Sequence, residues 1–321
     1  MLPNRLPDFI SIGLVMGLVS CGSVPTIDAE ISTTTEPETV AAAETATNSL
    51  VLGDISKNDP AGSFEEFQPL ADYLAIQLAE TGIDDGKVKV APDIETMGQW
   101  LAAGEVDIFF DSPYPALSLA AEVGARPILR RWKKGDAQYH AIIFTVADSG
   151  IDSVQDLSGN LIAFDSPYST SGYMLPMFYL LEENLAPVEK DSLRSTVAND
   201  EVGYIFTYDD SNTLQWVING DVAAGVVDNQ TFAELPDIIR GNLRILLETE
   251  AIPRQIAIIA ADLEPLTVDA LTQVLLDIDQ STEGKAVLEQ FERTAKFDQF
   301  PTPNYLNRLE EMFARVNEWP E

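Results

Sequence analysis

The stretch from residue 161 to 173, LIAFDSPYSTSGY, decides how the rest of the chain is interpreted. Its first four residues are apolar and predict a buried strand, and apolar residues at helical spacing continue from 173 to 185. Between them, Ser169, Thr170 and Ser171 bring three hydroxyl groups to a helix start, where backbone N–H groups lack intrahelical partners and the helix dipole is positive. Gly172 would let a ligand approach the backbone. The pattern indicates an anion-binding site, and its alternative is a hydroxyl that only caps the helix.

A second polar loop, Asp111-Ser112-Pro113-Tyr114, follows an apolar run at 106–110. The same four residue types recur at 165–168, directly before the hydroxyl cluster. Ligands of open α/β sheets bind at the carboxyl ends of the strands, so two such loops could face each other across a cleft. The alternative is a pair of ordinary proline turns.

The remaining body alternates short apolar runs with helical patterns. Strands are predicted at 49–54, 88–90, 106–110, 139–146, 160–164, 196–197, 222–227, 244–247 and 255–260. The first helix is expected from Phe64, with Ser63 and Glu66 as a capping box. Two such α/β series in succession predict two lobes, each a mainly parallel sheet flanked by helices, with a ligand cleft between the lobes.

Composition excludes several classes of protein. The 321 residues include 19 Lys and Arg against 52 Asp and Glu, a net charge of −33, which opposes binding to nucleic acid or to an anionic bilayer surface. One cysteine and one histidine exclude a disulfide framework, a Cys/His zinc site and a Cys-His nucleophilic pair. We therefore expect no metal, no cofactor and no nucleic-acid partner.

The N-terminus predicts export. Residues 1–20 carry a short polar start and an apolar run, as in a secretory signal, and the run ends in Leu18-Val19-Ser20-Cys21, which resembles a bacterial lipobox. Cys21 would then be lipidated and would anchor the protein to a membrane, facing the periplasm or the exterior. An ordinary signal with an incidental cysteine is the alternative. Residues 21–48, rich in Thr, Ala and Glu, predict a disordered tether.

Five segments of the body resemble one family: FEEFQPLADYL, VDIFFDSPY, IAFDSPYSTSGYMLP, INGDVAAGVVDN and AIPRQIAI occur in the family's order. These segments are similar to the phosphate-, phosphite- and phosphonate-binding proteins of ABC importers, the PhnD-like group of type 2 periplasmic binding proteins. The resemblance implies a monomer that performs no catalysis and delivers a small oxyanion to a permease of the cytoplasmic membrane. It also implies lobe 1 at 49–142 and 246–321, lobe 2 at 143–245, and hinge closure at the crossovers.

By the same resemblance, Ser169, Thr170, Ser171 and Gly172 would hold the oxyanion. From the first lobe, Asp111, Ser112 and Tyr114 would close over it.

The sequence departs from the aminophosphonate binders of this family. Those proteins hold the ligand's ammonium group with carboxylates where this chain has Gln230 and Gln255, and they contact the oxyanion with a histidine near Asp209 or Asp210. A buried ammonium group needs a paired charge, so the resemblance favours phosphate, phosphite or a small alkylphosphonate over 2-aminoethylphosphonate. Asp111 or Asp210 could accept a hydrogen bond from a protonated phosphoryl oxygen.

Other interpretations remain open at this point. The basic cluster at 126–134 is read as a solvated loop edge, and Arg254 as a residue that could reach the ligand. The same fold could bind a sulfonate or another small ligand, or could act as a sensor. A secreted hydrolase with paired carboxylates is a further alternative, although no motif points to one.

Overall fold

The computed structural model describes residues 48–319, which form two lobes built on two sheets. The first sheet has six strands in the order β14-β4-β13-β3-β1-β2. Its strands are β1 (Ser49–Ile55), β2 (Asp85–Ala91), β3 (Ile108–Asp111), β4 (Arg126–Arg131), β13 (Gln255–Ile259) and β14 (Phe297–Asp298). Because β13 and β14 run against their neighbours, the other four strands share one direction.

The second sheet also has six strands, in the order β11-β6-β10-β7-β9-β8. These are β6 (Ala141–Val146), β7 (Leu161–Phe164), β8 (Pro187–Glu189), β9 (Val202–Phe206), β10 (Ala224–Asp228) and β11 (Leu243–Glu248). Only β6 runs against the other strands of this sheet. Between the lobes, β5 (Gln138–Tyr139) pairs with β12 (Ile252–Pro253), where the chain crosses from one sheet to the other and back. The predicted two-lobed, mainly parallel α/β architecture is confirmed.

Helices cover the sheets. They are α1 (Pro60–Gln77), α2 (Ile94–Ala102), α3 (Pro113–Val123), α4 (Leu175–Glu182), α5 (Asp210–Asn219), α6 (Asn229–Glu234), α7 (Asp237–Arg240), α8 (Pro265–Asp277), α9 (Thr282–Gln290) and α10 (Asn307–Asn317). Most of the core consists of the apolar strand residues and the helix faces that pack on them. The described residues include no helix that is long and apolar enough to cross a membrane.

Helix α1 begins earlier than the sequence predicts. Asp59 is its N-cap, because the Asp59 side chain accepts a hydrogen bond from the Gly62 N–H at 3.0 Å, and Pro60 takes the first helical position. Proline suits that position because its fixed φ is helical and its missing N–H would have no partner there. The capping box predicted at Ser63 and Glu66 is therefore wrong, since both residues lie inside the helix.

The structure differs most from the sequence-based prediction at residues 126–131. The solvated loop edge expected there is a strand, β4, between β13 and β14, and Arg131 has no exposed surface. Its basic residues hide the strand pattern, because a run of arginines normally indicates a solvated face. The strand predicted at 196–197 is also wrong: the chain there is irregular, and the next strand is β9.

The C-terminal helix α10 packs on both lobes. Phe313 lies edge to face on Tyr114 in α3, with ring centroids 5.0 Å apart, and the Arg308 guanidinium lies 5.1 Å from the centre of the Phe178 ring in α4. Trp319 donates its indole N–H to the Pro187 carbonyl at 2.9 Å. The predicted signal sequence, the Cys21 lipidation site and almost all of the predicted tether lie outside the described residues.

Candidate functional site

A polar cavity of about 210 Å³ lies between the two lobes, where the carboxyl ends of the parallel strands of both sheets meet. The cavity is lined by two cations, four carboxylates, five hydroxyl groups, one amide and a glycine. The lining residues are Asp111, Ser112, Lys133, Tyr139, Asp165, Ser169, Thr170, Ser171, Gly172, Asp210, Asp228, Arg254 and Gln255. Pockets for drug-sized molecules usually measure 300–1,000 Å³, so this cavity suits a ligand of few atoms.

The hydroxyl cluster enters the helix through a widened turn. Residues Thr170–Met174 form a π-helical turn ahead of α4, and the Met174 N–H reaches back to the Ser169 carbonyl at 3.0 Å. Ser169 caps the turn, because its hydroxyl oxygen accepts the Gly172 N–H at 3.0 Å. A Cβ at Gly172 would lie 2.4 Å from the Asp165 Cβ, so the fold requires glycine here. Such π turns recur at functional sites.

Thr170 joins the two lobes. Its hydroxyl donates to the Ser112 hydroxyl at 2.9 Å and accepts the backbone N–H of Tyr114, also at 2.9 Å. The one hydrogen of the Thr170 hydroxyl goes to Ser112, so this hydroxyl links the two lobes and has no hydrogen left to donate to a ligand. The Ser112 hydroxyl in turn hydrogen-bonds to the Asp111 carboxyl.

Asp111 forms the lobe 1 wall of the cavity at the end of β3. Burial raises the pKa of its carboxyl from the ordinary 3.8 to about 6, although the Ser112 N–H donates to the carboxyl at 2.6 Å. Asp111 can therefore carry a proton, or accept one hydrogen bond from a ligand, near neutral pH.

This raised pKa predicts how the stability of the ligand-free protein depends on pH. The folded state binds the Asp111 proton more tightly than the unfolded state does, so the free energy of unfolding falls as pH rises from about 4 to above 6. Asp111→Asn is expected to remove this loss and to stabilise the protein at pH 8 by on the order of 2–3 kcal/mol. Urea unfolding at pH 4 to 8 measures it.

The exposed Asp269→Asn on α8 is the matched control, because it makes the same chemical change outside the cavity. It should leave the pH dependence as in wild type. Parallel stability curves for wild type and Asp111→Asn would contradict the assignment.

Lys133 reaches the cavity from the end of β4 and forms an ion pair with Glu292. Arg131, fully buried, holds the other side of that carboxylate, with its terminal nitrogen 2.8 Å from the Glu292 Oε2. Burial alone would raise the pKa of Glu292, but Arg131 and Lys133 outweigh it and lower that pKa to about 2. Glu292 therefore stays ionised between the two cations.

Arg254, beside the crossover, supplies the second cation. Its guanidinium lies over the Tyr139 ring, 4.4 Å from the centroid, and its Nε donates to the Gln230 amide oxygen at 3.2 Å. Gln230 in turn donates to Asp136. Burial raises the pKa of Tyr139, and the neighbouring Arg254 and the Ser171 hydroxyl oppose that rise. The stacked, hydrogen-bonded guanidinium is held in a fixed orientation at the cavity.

The lobe 2 wall is acidic. Asp165, Asp210 and Asp228 lie at or just after the ends of β7, β9 and β10. Burial, followed by repulsion from Asp165 and Asp228, raises the pKa of Asp210 to about 6. Asp228 is committed to capping α6 through the Gln230 and Thr231 N–H groups. A wall of this kind accepts hydrogen bonds and favours a proton or a cationic group.

The cavity brings together most of the residues that the sequence singled out. The predicted residues in its wall are Asp111, Ser112, Ser169, Thr170, Ser171, Gly172, Asp210 and Gln255. Tyr114 and Gln230 lie outside it, since the Tyr114 hydroxyl donates to Asn317 at 2.8 Å and Gln230 bridges Arg254 and Asp136.

Sequence reasoning left four lining residues unassigned: Lys133, Tyr139, Asp165 and Asp228. Asp165 and Asp228 each directly follow a predicted strand, and this position at a strand's carboxyl end could have identified both as site residues. Lys133 gave no such signal, because β4 was missed.

The family model described as "ABC transporter, phosphonate, periplasmic substrate-binding protein" matches residues 52–303. A solved structure of XAC2383 from Xanthomonas citri bound to chloride ion is 30% identical, with a TM-score of 0.78, and the alignment covers 84% of this chain and 98% of that one. A structure of XAC2383 bound to ATP has the same TM-score, 0.78, at 29% identity, covering 85% of this chain and 100% of that one.

A more distant structural likeness supports the fold alone. PhnD1 from Prochlorococcus marinus, solved with methylphosphonate, is 17% identical with a TM-score of 0.61, and the alignment covers 85% of this chain and 99% of that one.

Proposed function

Because the chain belongs to the family of periplasmic substrate-binding proteins of phosphonate ABC transporters, we propose that it captures a small phosphorus oxyanion for uptake. Family membership confirms the resemblance based on the five segments and the expected type 2 fold. The finer proposal is that the ligand is phosphate, phosphite or a small phosphonate, and that Cys21 carries the lipid anchor. The protein performs no catalysis and acts as a monomer that delivers its ligand to a permease.

The composition of the cavity wall carries this proposal. Lys133 and Arg254 supply positive charge to an oxyanion, and the hydroxyl-rich turn of Ser169, Thr170 and Ser171 lies in the same wall. Asp111 and Asp210 face the same small volume and suit the hydroxyl of a protonated phosphorus oxyanion, which sulfate lacks at neutral pH. A largely polar wall also offers little apolar contact to an alkyl group, so phosphate and phosphite fit better than longer alkylphosphonates.

A second ligand class has a specific observation in its favour. The wall formed by Asp165, Asp210 and Asp228 could hold an ammonium group, as an aminoalkylphosphonate carries. The sequence disfavours 2-aminoethylphosphonate because glutamines stand at 230 and 255, but these three carboxylates would offer the paired charge from other positions. A nucleoside triphosphate is too large for a cavity of about 210 Å³ in this closed arrangement.

Calorimetric titration of the purified protein, freed of bound ligand, tests the proposal. The ligands are phosphate, phosphite, methylphosphonate, 2-aminoethylphosphonate, sulfate and ATP. We expect phosphate, phosphite or methylphosphonate to bind with micromolar or tighter affinity, and sulfate to show no measurable binding. Preference for 2-aminoethylphosphonate would support the acidic wall as an ammonium site, and binding of sulfate or ATP alone would overturn the proposal.

Closure is proposed to follow the hinge at β5 and β12. Because β6 and β11 both belong to the second sheet, residues 141–248 would move as lobe 2, and residues 49–139 with 252–319 as lobe 1, so that the ligand is enclosed between them. The hydrogen bonds of Thr170 with Ser112 and Tyr114 would then form on closure.

Thr170→Val tests this role of the threonine. The change keeps the shape of the side chain but removes both hydrogen bonds between the lobes, so we expect oxyanion affinity to fall about 10- to 100-fold. Thr170→Ser retains the hydroxyl and should bind within a few-fold of wild type, as measured by the same titration. Equal affinities for Thr170→Val and wild type would show that closure does not depend on these bonds.

A further inference from the structure

The Gln255 side chain lies between the cavity and a buried arginine. Gln255 on β13 is the cross-strand partner of Arg131 on β4, and its amide oxygen accepts a hydrogen bond from the Arg131 NH1 at 2.7 Å. Both side chains are buried, with 6% and 0% of their surface exposed, and Gln255 also lines the cavity. The amide therefore contacts a fixed cation on one side and the ligand space on the other.

Arg131 is held rigidly on its other sides. Its Nε donates to the Thr294 hydroxyl at 2.9 Å, and NH2 donates to the Phe291 carbonyl at 3.1 Å. NH2 also lies 2.8 Å from the Glu292 carboxylate, and the guanidinium sits 3.6 Å from the centre of the Phe291 ring. A guanidinium with this many partners cannot turn away from Gln255 without leaving buried donors unsatisfied.

A guanidinium has donors only, so the atom of Gln255 that faces it must be the amide oxygen. If the amide turned over, its NH₂ group would oppose the Arg131 N–H groups in a buried space. The orientation is therefore chemically determined. It leaves the NH₂ group of Gln255, two donors and no acceptor, for the cavity.

We infer that Arg131 is a positioning residue that fixes Gln255 as a donor to the bound oxyanion. This inference deepens the proposed function and rests on it. A donor at this wall binds unprotonated phosphoryl oxygens, whereas the carboxylates of Asp111 and Asp210 accept from a protonated one. The cavity thereby distinguishes the two kinds of oxygen on a single ligand.

Gln255→Glu and Gln255→Met test the role of the amide with inorganic phosphate as the probe. A glutamate at 255 would still satisfy Arg131 but would present an acceptor to the ligand, so we expect phosphate affinity at pH 8 to fall about 10- to 100-fold. The loss relative to wild type should shrink at pH 5.5, where the ligand carries more hydrogen for that acceptor to bind. Methionine removes the donors without adding charge, so its loss should be about 10-fold at both pH values.

Gln273→Glu on α8 is the matched control, because it adds the same charge at an exposed position. It should bind phosphate like wild type at both pH values. If the amide oxygen faced the ligand, Gln255→Glu would match wild type, and that result would overturn the inference. Wild-type affinity in Gln255→Met would overturn it as well.

A double-mutant cycle tests the role of Arg131. Arg131→Lys keeps the positive charge but removes the planar guanidinium that donates to Gln255. If Arg131 acts through Gln255, this change should lower phosphate affinity in the wild-type background but not in the Gln255→Met background. An undiminished effect would contradict the positioning role. Should Arg131→Lys not fold, Thr294→Val, which removes one partner of the Arg131 Nε, replaces it in the cycle.

The outcomes separate the two claims. A wild-type protein that binds none of phosphate, phosphite and methylphosphonate would overturn the proposed function. A wild-type protein that binds phosphate, with Gln255 variants that bind it equally well, would overturn only the inference about Gln255.

Discussion

Replacing Arg254 by methionine is expected to weaken phosphate or phosphite binding by about 100-fold or more. Arg254 is one of two cations in the cavity wall, and its fork can donate more than one charge-assisted hydrogen bond to an oxyanion. Each such bond contributes roughly 1.5–3 kcal/mol. Arg254→Lys should recover only part of the affinity, since lysine keeps the charge but loses the planar fork that stacks on Tyr139.

The control for Arg254→Met is Arg194→Met, an exposed arginine in an irregular segment of lobe 2, which changes the net charge equally. Titration with phosphate at two salt concentrations separates local from long-range effects, because added salt screens distant charges. An affinity for Arg254→Met within a few-fold of wild type would mean that the ligand is held elsewhere in the cleft.

The parts of the fold that the sequence predicted correctly are those whose pattern lies within a short, continuous stretch of the chain. The apolar runs at β1, β3, β7, β10 and β13 and the hydroxyl cluster after β7 are contiguous in the chain, so their pattern is visible without a structure. Asp111 and the hydroxyl cluster both follow the carboxyl ends of strands. Ligands of open α/β sheets bind at those ends, so the sequence could assign both to one site.

The missed features depend on partners far away in sequence. Arg131 is tolerated in a central strand because Glu292, Thr294 and the Phe291 carbonyl, more than 150 residues later, satisfy its donors. Without those partners, a run of arginines is correctly read as a solvated face. The same reasoning explains Lys133, which reaches the cavity only because β4 is a strand.

Glu292→Gln is expected to change stability and binding in opposite directions. The carboxylate of Glu292 lies between the buried Arg131 and Lys133, and the pKa of Glu292 is lowered to about 2. Its stabilising contribution is fully present above the ordinary value of 4.5 and is lost as pH falls through about 2. Removing the charge leaves two cations without their counter-ion, so the free energy of unfolding should fall by about 3–5 kcal/mol at pH 7.

Binding should respond with the opposite sign, because Lys133 then loses its ion-pair partner and can pair with the bound oxyanion instead. We expect phosphate to bind several-fold more tightly to Glu292→Gln, and phosphate should in turn stabilise this variant more than it stabilises wild type, since a ligand that binds only the folded state adds to stability. Urea unfolding with and without phosphate measures both effects. The exposed Glu289→Gln on α9 is the control and should change neither. A Glu292→Gln variant that lost stability and phosphate affinity together would show that the carboxylate positions Lys133 for the ligand rather than competing with it.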